Sequence, residues 1–291
     1  MLDLYINFKN SIQALMRALE ISVNNAQNFN TTGYKNQSAS FAQVYSEAIH
    51  SGTDITNPMH TGNAVTLGAI NIDFSQGSLT LGSQLDCAIV GEGFFLLSPS
   101  TTDFSASTGT MLLTRSGKFR ADRANQFLVD DNGRNVLGFE VDPTTGEPIN
   151  DELVPIQTNG EVDIGFVDGG ILVSDFNAAK DSEDIVPTPM YRLALSSVQN
   201  KAGLLQDSGI FHETVSSGSR LNIGFSGSNI VGEGLSGQYG AIESESLEGS
   251  NFDIAKIALE MNQLQRAFSA NQGVVDNVGK VLSGLMSKIL G

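Results

Sequence analysis

The apolar positions near the C-terminus repeat at alternating intervals of three and four residues. The repeat runs from 254 to 289 without a slip, and ten of its eleven positions are apolar, the exception being Asn271. A strict 3.5-residue repeat over about five heptads is typical of a coiled-coil seam rather than of an ordinary surface helix. Gly249 precedes a capping-box-like start, Ser250 followed by Asp253. The pattern predicts one helix over about 251–289. Its apolar seam positions are Ile254, Ile257, Met261, Leu264, Phe268, Val275, Val278, Leu282, Leu285 and Ile289.

A looser version of the same pattern occupies the N-terminus. It predicts a helix that ends near Asn28, where a stretch rich in Asn, Thr and Gly begins, because these residues favour turns over helix. The chain then continues with few charges to about residue 70, and we expect an extended linker over 31–70. The N-terminal seam positions are Leu4, Phe8, Ile12, Leu15 and Leu19.

The middle of the chain, 71–249, has the pattern of a β-domain. Short apolar or alternating runs lie between turn signals such as Asn159-Gly160 and Asp168-Gly169-Gly170, which suit hairpins because their turns need positive φ. No helical pattern alternates with these runs, so a parallel βαβ sheet is disfavoured. We predict an antiparallel, sandwich- or barrel-like domain. The predicted strand runs are 85–90, 93–97, 111–115, 127–129, 136–141, 171–173 and 191–196.

These segments define an α+β fold class. Residues 1–30 and 250–291 form a terminal helical domain with a coiled-coil-like helix pair, joined by the linker to the central antiparallel β-domain. Burial of the ten large side chains of the C-terminal seam is worth about 15–30 kcal/mol before opposing terms. The N-terminal helix is shorter than the C-terminal one, so part of the seam would need another partner. The alternative is a self-contained intramolecular hairpin of the two helices.

Composition and charge exclude several classes of partner. The 291 residues include 16 Lys+Arg and 32 Asp+Glu, for a net charge of -16. Nucleic acid and anionic lipid surfaces repel such a chain, so we expect neither as a partner. No apolar run is long enough for a membrane span, and the N-terminus lacks the pattern of a cleaved signal.

Candidate catalytic and ligand-binding motifs are weak. Cys87 lies in an apolar run and is expected to be buried. Residues 232–237 match a dinucleotide-binding pattern in letters, but no helix follows until after Ser250. Residues 130–133 resemble part of a calcium loop, with Leu128 where the first ligand should be, and predict a hairpin turn instead. We therefore expect no catalytic residue, no metal and no cofactor, and a protein that is not an enzyme.

Several short segments together resemble the bacterial flagellar rod and hook axial proteins. Residues 24–35 (NNAQNFNTTGYK) are similar to the signature NNLANVNTTGFK of that family. QGSL at 76–79, LDCAIVGEGFF at 85–95, TRSGKF at 114–119, and LEGSNFD with QRAF at 247–268 follow in the family's order. The positions that carry the resemblance include Asn24, Asn25, Asn30, Thr31, Thr32, Gly33, Tyr34, Gly91, Gly93, Phe94, Phe95, Ser250, Asn251, Asp253, Gln265 and Arg266.

The resemblance implies a structural role. In this family the terminal helices pair as the inner layer of a helical tube, and the β-domain forms its outer layer. The implied partners are further copies of the chain, adjacent rod and hook proteins, and the flagellar type III export apparatus, which needs no signal cleavage. The implied location is the basal-body rod across the periplasm, where the tube transmits motor torque and lets exported subunits pass.

Two features favour a rod subunit over a hook subunit. The middle of the chain looks too short for the additional outer domain that hook subunits usually carry. The stretch after Phe41 is longer than expected for a hook subunit, and it resembles an insertion that helps to stiffen the distal rod. We favour the distal rod before the proximal rod. A hook subunit, or an unrelated surface β-domain on a coiled-coil stalk, are the alternatives.

Overall fold

The chain folds into two compact units. The computed structural model describes residues 2–50, 59–99, 111–181, 186–232 and 235–290. The helical unit comprises residues 1–29, 36–73 and 252–291, and the β unit comprises residues 30–35 and 74–251. The helices are α1 (Leu2–Gln27), α2 (Phe176–Asp181) and α3 (Ile254–Leu290). Along the chain, one long helix lies at each end and the antiparallel strands lie between them, which confirms the predicted α+β class. Among the described residues, no helix is both long and apolar enough to cross a membrane.

The terminal helices lie close to their predicted positions, but α3 begins later than expected. Its cap is Asp253, whose carboxylate oxygen Oδ1 accepts hydrogen bonds from the backbone N–H groups of Ala255 (2.9 Å) and Lys256 (3.3 Å). The Ser250 hydroxyl is buried, and within the described part of the chain it has no hydrogen-bond partner. The predicted capping box starting at Ser250 is therefore wrong, because the helix starts three residues further on.

The segment predicted as an extended linker contains a two-stranded ribbon. Its strands are β1 (Gln37–His50) and β2 (Met59–Ile72), each 14 residues long. They pair antiparallel from Gln37 opposite Ile72 to His50 opposite Met59, with four register shifts. Both strands contact α1 within the helical unit. The large apolar residues of this ribbon are irregularly spaced, so its sequence lacks the strict alternation that would have predicted strands.

The β unit contains eighteen described strands. They are β3 (Leu79–Leu81), β4 (Cys87–Val90), β5 (Phe94–Ser98), β6 (Leu112–Thr114), β7 (Phe119–Ala121), β8 (Leu128–Asp130), β9 (Asn135–Val141), β10 (Pro148–Pro155), β11 (Ile164–Val167), β12 (Ile171–Ser174), β13 (Thr188–Leu193), β14 (Leu195–Ser196), β15 (Leu205–Asp207), β16 (Ile210–His212), β17 (Asn229–Gly232), β18 (Leu235–Gln238), β19 (Ala241–Ser244) and β20 (Ser246–Glu248).

Twelve of these strands form one sheet, in which β9 pairs with β5, β8, β10 and β13. Three two-stranded sheets, β17–β18, β19–β4 and β20–β3, complete the unit. Each of the seven predicted strand runs overlaps an observed strand, which confirms them. Gly169 and Gly170 have φ of 88° and 73° in the turn between β11 and β12, as the hairpin prediction required.

The β unit shows what structure the cysteine, calcium-loop-like and dinucleotide-like segments adopt. Cys87 is fully buried beside Phe95, Phe166 and Ile242 in one apolar cluster, and burial, with the charges of nearby aspartates, raises the pKa of its thiol. The predicted hairpin at 130–133 is confirmed, since it joins β8 to β9. The dinucleotide-like segment has strand β18 after its first glycine rather than a helix, and Glu233 and Gly234 lie outside the described residues.

Candidate assembly surface and ion-pair cluster

The C-terminal seam is partly covered within the helical unit. Ile257 and Leu264 are buried, at 2% and 8% exposure, whereas Ile254 is 57% exposed. The seam positions Met261, Phe268, Val275 and Val278 are half-buried, and the side chains of Leu282, Leu285 and Ile289 lie outside the described residues. Helices α1 and α3 contact each other. The intramolecular hairpin thus covers part of this seam, and a coiled-coil geometry stays a prediction.

The buried face of α1 differs from the predicted seam. Its most buried side chains are Ala14, Ala18, Ser22 and Asn25, which follow each other at intervals of three or four residues. Small side chains on a helix let neighbouring elements approach closely, and α1 contacts α3 and both strands of the ribbon. The predicted positions Phe8, Ile12, Leu15 and Leu19 are half-buried, and the side chain of Leu4 lies outside the described residues.

A second apolar face lies on α3 away from the seam. Leu259, Val274 and Val281 are 61%, 39% and 52% exposed. At 3.6 residues per turn they lie within about 60° of one another around the helix axis, and the middle of this group is about 105–130° away from Ile257 and Leu264. The helix therefore presents one apolar face that is partly covered and another that is open to solvent.

The first half of the NNAQNFNTTGYK motif holds α1 to the ribbon. The Asn25 side-chain amide donates to the Gln37 carbonyl (2.6 Å), and the Gln37 N–H donates back to Asn25 Oδ1 (3.0 Å). The ring of Phe29 lies 5.8 Å from that of Phe252, centroid to centroid, in an edge arrangement. Asn24 accepts a hydrogen bond from Asn28 one turn later (2.8 Å). These contacts fix where the chain leaves α1 and enters β1.

The second half of that motif contributes to a buried group of charges, the ion-pair cluster, formed by Lys35, Arg115 and Glu248. The ammonium Nζ of Lys35 lies 2.6 Å from Glu248 Oε1, and both side chains are fully buried. The same ammonium donates to the Ser75 carbonyl at 2.7 Å. Arg115 Nε lies 3.4 Å from the other carboxylate oxygen, Oε2. One carboxylate therefore faces two cations from distant parts of the sequence.

The glycines of the GEGFF motif complete the surroundings of Arg115. Its guanidinium donates to the carbonyl oxygens of Gly93 (2.9 Å) and Gly91 (2.8 Å). Burial lowers the pKa of Arg115, and the carboxylates of Glu248 and Glu92 oppose that shift. A buried ion pair needs further hydrogen bonds to its polar atoms, and these carbonyls supply them to the guanidinium. Glu248 Oε2 has no hydrogen-bond partner among the described residues and contacts Arg115 only as an ion pair.

Two other motif glycines let backbone segments approach the cluster. The Gly33 N–H donates to the Glu248 carbonyl at 2.8 Å, and the Gly77 N–H donates to Glu248 Oε1 at 2.9 Å. A Cβ on Gly33 would lie 2.4 Å from the backbone nitrogen of Ser116, and one on Gly77 would lie 2.1 Å from the Gly249 carbonyl oxygen. Neither position has room for a side chain.

No family model matches this chain. It is 28% identical over 283 residues to the flagellar basal-body rod protein FlgG of Agrobacterium fabrum, spanning 94% of this chain and 93% of that protein. It is 27% identical over 276 residues to FlgG of Bacillus subtilis, spanning 92% of both. The flagellar hook protein FlgE of Helicobacter mustelae is 34% identical over 139 residues, which are 45% of this chain and 29% of the hook protein. The chain is thus similar to flagellar rod proteins over nearly its whole length and to a hook protein over part of it. The names of these relatives describe structural parts of the bacterial flagellum rather than enzymes.

The remaining rod and hook motif positions are distributed between the two units. In the β unit, Phe94, Phe95 and Tyr34 are buried, and Asn251 donates to the Ser75 hydroxyl at 3.1 Å. On α3 of the helical unit, Gln265 and Arg266 are exposed. Asn30, Thr31 and Thr32 line a polar groove of about 280 Å³ in the β unit, whose other lining residues include the ion pairs Lys118–Asp131 and Arg134–Asp130.

The three members of the ion-pair cluster lie in three separate sequence motifs, and no sequence pattern indicated that they meet. The family-like segments contain eight charged residues, and nothing in the sequence distinguishes these three from the other five. Which of them pair could not be read from the sequence.

Proposed function

We propose that this chain is a subunit of the flagellar basal-body rod that polymerises through its terminal helices into a helical tube. The tube would transmit motor torque and let exported subunits pass. The observation that carries the choice of rod over hook is alignment length. The two rod proteins named above match over more than nine tenths of both chains, whereas the hook protein matches over 29% of its own length. A hook subunit is the second candidate.

The open apolar face of α3 supports assembly through the helices. Leu259, Val274 and Val281 expose large apolar side chains on a helix whose other face already contacts α1. Burial of each against a neighbouring copy would contribute about 1.5–3 kcal/mol before opposing terms. Exposed apolar faces of this kind are typical of interaction surfaces. The predicted seam residues beyond Val278 would extend the contact.

The β1–β2 ribbon supports the distal rod. It occupies the stretch that resembles a rod-stiffening insertion, and it packs on α1 rather than continuing the sheet of the β unit. A two-stranded ribbon is marginally stable by itself, so contacts with α1 and with adjacent subunits would both contribute to its order.

The proposal includes partners and a location. The chain would contact copies of itself and adjacent rod and hook proteins, and it would reach the rod across the periplasm through the type III export apparatus without cleavage of a signal. Immunogold labelling of detached basal bodies should place the protein in the rod below the hook. Mass spectrometry of the protein from those basal bodies should give the uncleaved N-terminus. Label over the hook alone, or a shortened N-terminus, would contradict this part of the proposal.

The assembly itself is tested by substitutions on α3. Light scattering and electron microscopy of the purified full-length chain should show open-ended growth. We expect Leu259→Asp to abolish growth, because a carboxylate cannot be buried in an apolar contact without a large desolvation cost. Ser269→Asp is the matched control, since Ser269 is exposed on α3 away from both apolar faces.

Three results would count against the proposal. Equal growth of the wild type and Leu259→Asp would show that this face is not used. A fixed dimer or trimer would favour a coiled-coil stalk. A chain that stays monomeric with both ends protected from proteolysis would favour the self-contained helical hairpin.

A further inference from the structure

The last segment before α3 closes the β unit. This closing segment, residues 241–251, carries β19 and β20. Strand β19 pairs with β4, from Ala241 opposite Val90 to Ser244 opposite Cys87, and β20 pairs with β3. Ile242 is 2% exposed and belongs to the apolar core of the unit. The partners of the closing segment are thus the first two strands of the β unit in sequence.

The closing segment also supplies the carboxylate of the ion-pair cluster. Glu248 lies 213 residues after Lys35 in the sequence, and its carboxylate is the contact shared by Lys35 and Arg115. It receives the Gly77 N–H as well, while its backbone carbonyl receives that of Gly33. Without Glu248, closure around the same site would bury two cations with no carboxylate between them. Burial of charges deprived of the carboxylate that they share is strongly unfavourable.

We infer that the closing segment is a strap that docks last, and that the Glu248 carboxylate makes its docking a precondition for the buried state of residues 30–35 and 74–90. Until the strap docks, Lys35 and Arg115 are more stable in water than buried. Residues 30–35 and 74–90 therefore remain undocked, while the twelve-stranded sheet can form. A chain is synthesised from its N-terminus, so the strap is also the last part of the β unit to become available. In a chain exported unfolded, the strap would delay closure. This consequence rests on the proposed function, whereas the strap itself does not.

Hydrogen exchange of the unassembled full-length chain tests the strap. Glu248→Gln keeps the shape and the acceptor oxygen of the side chain but removes its charge. We expect exchange at 241–251, 30–35 and 79–90 to become about a hundredfold faster, with β9 and β13 unchanged, because the strap opens while the sheet persists. The matched control is Glu243→Gln on the same strap, which removes an equal charge at an exposed position and should leave every rate unchanged.

Two further variants keep the test decisive if Glu248→Gln does not fold. Glu248→Asp keeps the charge, and its exchange at 241–251 should be faster than in the wild type while β9 and β13 stay unchanged. Combining Lys35→Met with Glu248→Gln leaves one cation fewer in the cluster, so this double variant should fold, with exchange faster than in the wild type only at 241–251, 30–35 and 79–90.

The inference is overturned if Glu248→Gln exchanges like the wild type, or if β9 and β13 accelerate as much as the strap does. The second result would make the cluster an ordinary part of one cooperative core. If the exchange rates of the variants are as expected but the wild-type chain does not assemble into a rod, only the proposed function is contradicted, because exchange is measured on unassembled chain.

Discussion

Gly33 has a left-handed backbone conformation, and there is no space for a side chain at its position. Its φ is 69°, in the left-handed region that favours glycine, and the backbone of Arg115 and Ser116 occupies the position of a Cβ. Gly133 has a similar φ of 79° but no atom within 4 Å of that position. The motif residue is thus constrained twice, whereas the turn residue is constrained only by its conformation.

Alanine substitutions separate these two constraints. Gly133→Ala should lower the free energy of unfolding by about 1–2 kcal/mol, the cost of a left-handed non-glycine residue. Gly33→Ala should cost about 1–3 kcal/mol more, because neighbouring backbone must move. Urea unfolding of the full-length variants, followed by a signal from the β unit, measures both. Equal losses would mean that the approach of Arg115 and Ser116 to Gly33 is not rigid.

Helix α3 shows how one element carries several kinds of information. Its 37 residues begin at a local signal, the Asp253 cap, and its heptad positions are less exposed than most of their neighbours. Its second apolar face, at Leu259, Val274 and Val281, has no continuous heptad repeat, since only Val274 and Val281 lie one heptad apart, and exposure reveals it. The two faces differ because one contacts α1 within the chain.

Substitution at the start of α3 tests which residue caps it. Asp253→Ala should lower the stability of the helical unit by about 1 kcal/mol, because the N–H groups of Ala255 and Lys256 lose their acceptor. Ser250→Ala should have almost no effect on it, since its hydroxyl caps nothing in the described structure. Thermal unfolding followed by circular dichroism at 222 nm compares them. A larger loss in Ser250→Ala would restore the capping box predicted from sequence.

At the scale of the whole molecule, both units are assembled from segments distant in sequence. The helical unit takes three stretches and the β unit two, so the chain passes between the units at 29/30, 35/36, 73/74 and 251/252. The contacts of Lys35, Ser75 and Asn251 lie within two residues of three of these passages. These contacts therefore bring together the ends of the segments that form the β unit. The loss of either chain terminus is expected to affect the two units differently.

A pair of truncations tests this organisation. A chain that ends at Asn251 retains every residue of the β unit, so this unit should stay resistant to proteolysis, while open-ended growth is lost with α3. A chain that ends at Ser244 also lacks β20 and Glu248, and its β unit should be cleaved at least tenfold faster because Lys35 and Arg115 have lost their carboxylate. Limited proteolysis with mass spectrometry compares the two. Equal resistance would show that β20 is dispensable for closure.

By itself, the sequence determined the features that depend on neighbouring residues. Heptad spacing predicted α1 and α3, short apolar runs between glycine turns predicted seven strands, and the ordered motifs indicated a resemblance to flagellar axial proteins. These signals are local, because helix period and the need for positive φ act over a few residues.

Only the tertiary structure decided which distant residues meet. From the sequence alone, the Asn25 amide could equally have faced solvent, and Lys35 and Glu248 would each be expected at the surface. The strands of the ribbon alternate too weakly for their pairing to be predicted. Ala14 and Ala18 were hidden for the same reason, since a small side chain becomes informative only once a neighbouring element lies against it. The pairing of buried charges and the close contact of backbones depend on the path of the whole chain, and no local pattern encodes that path.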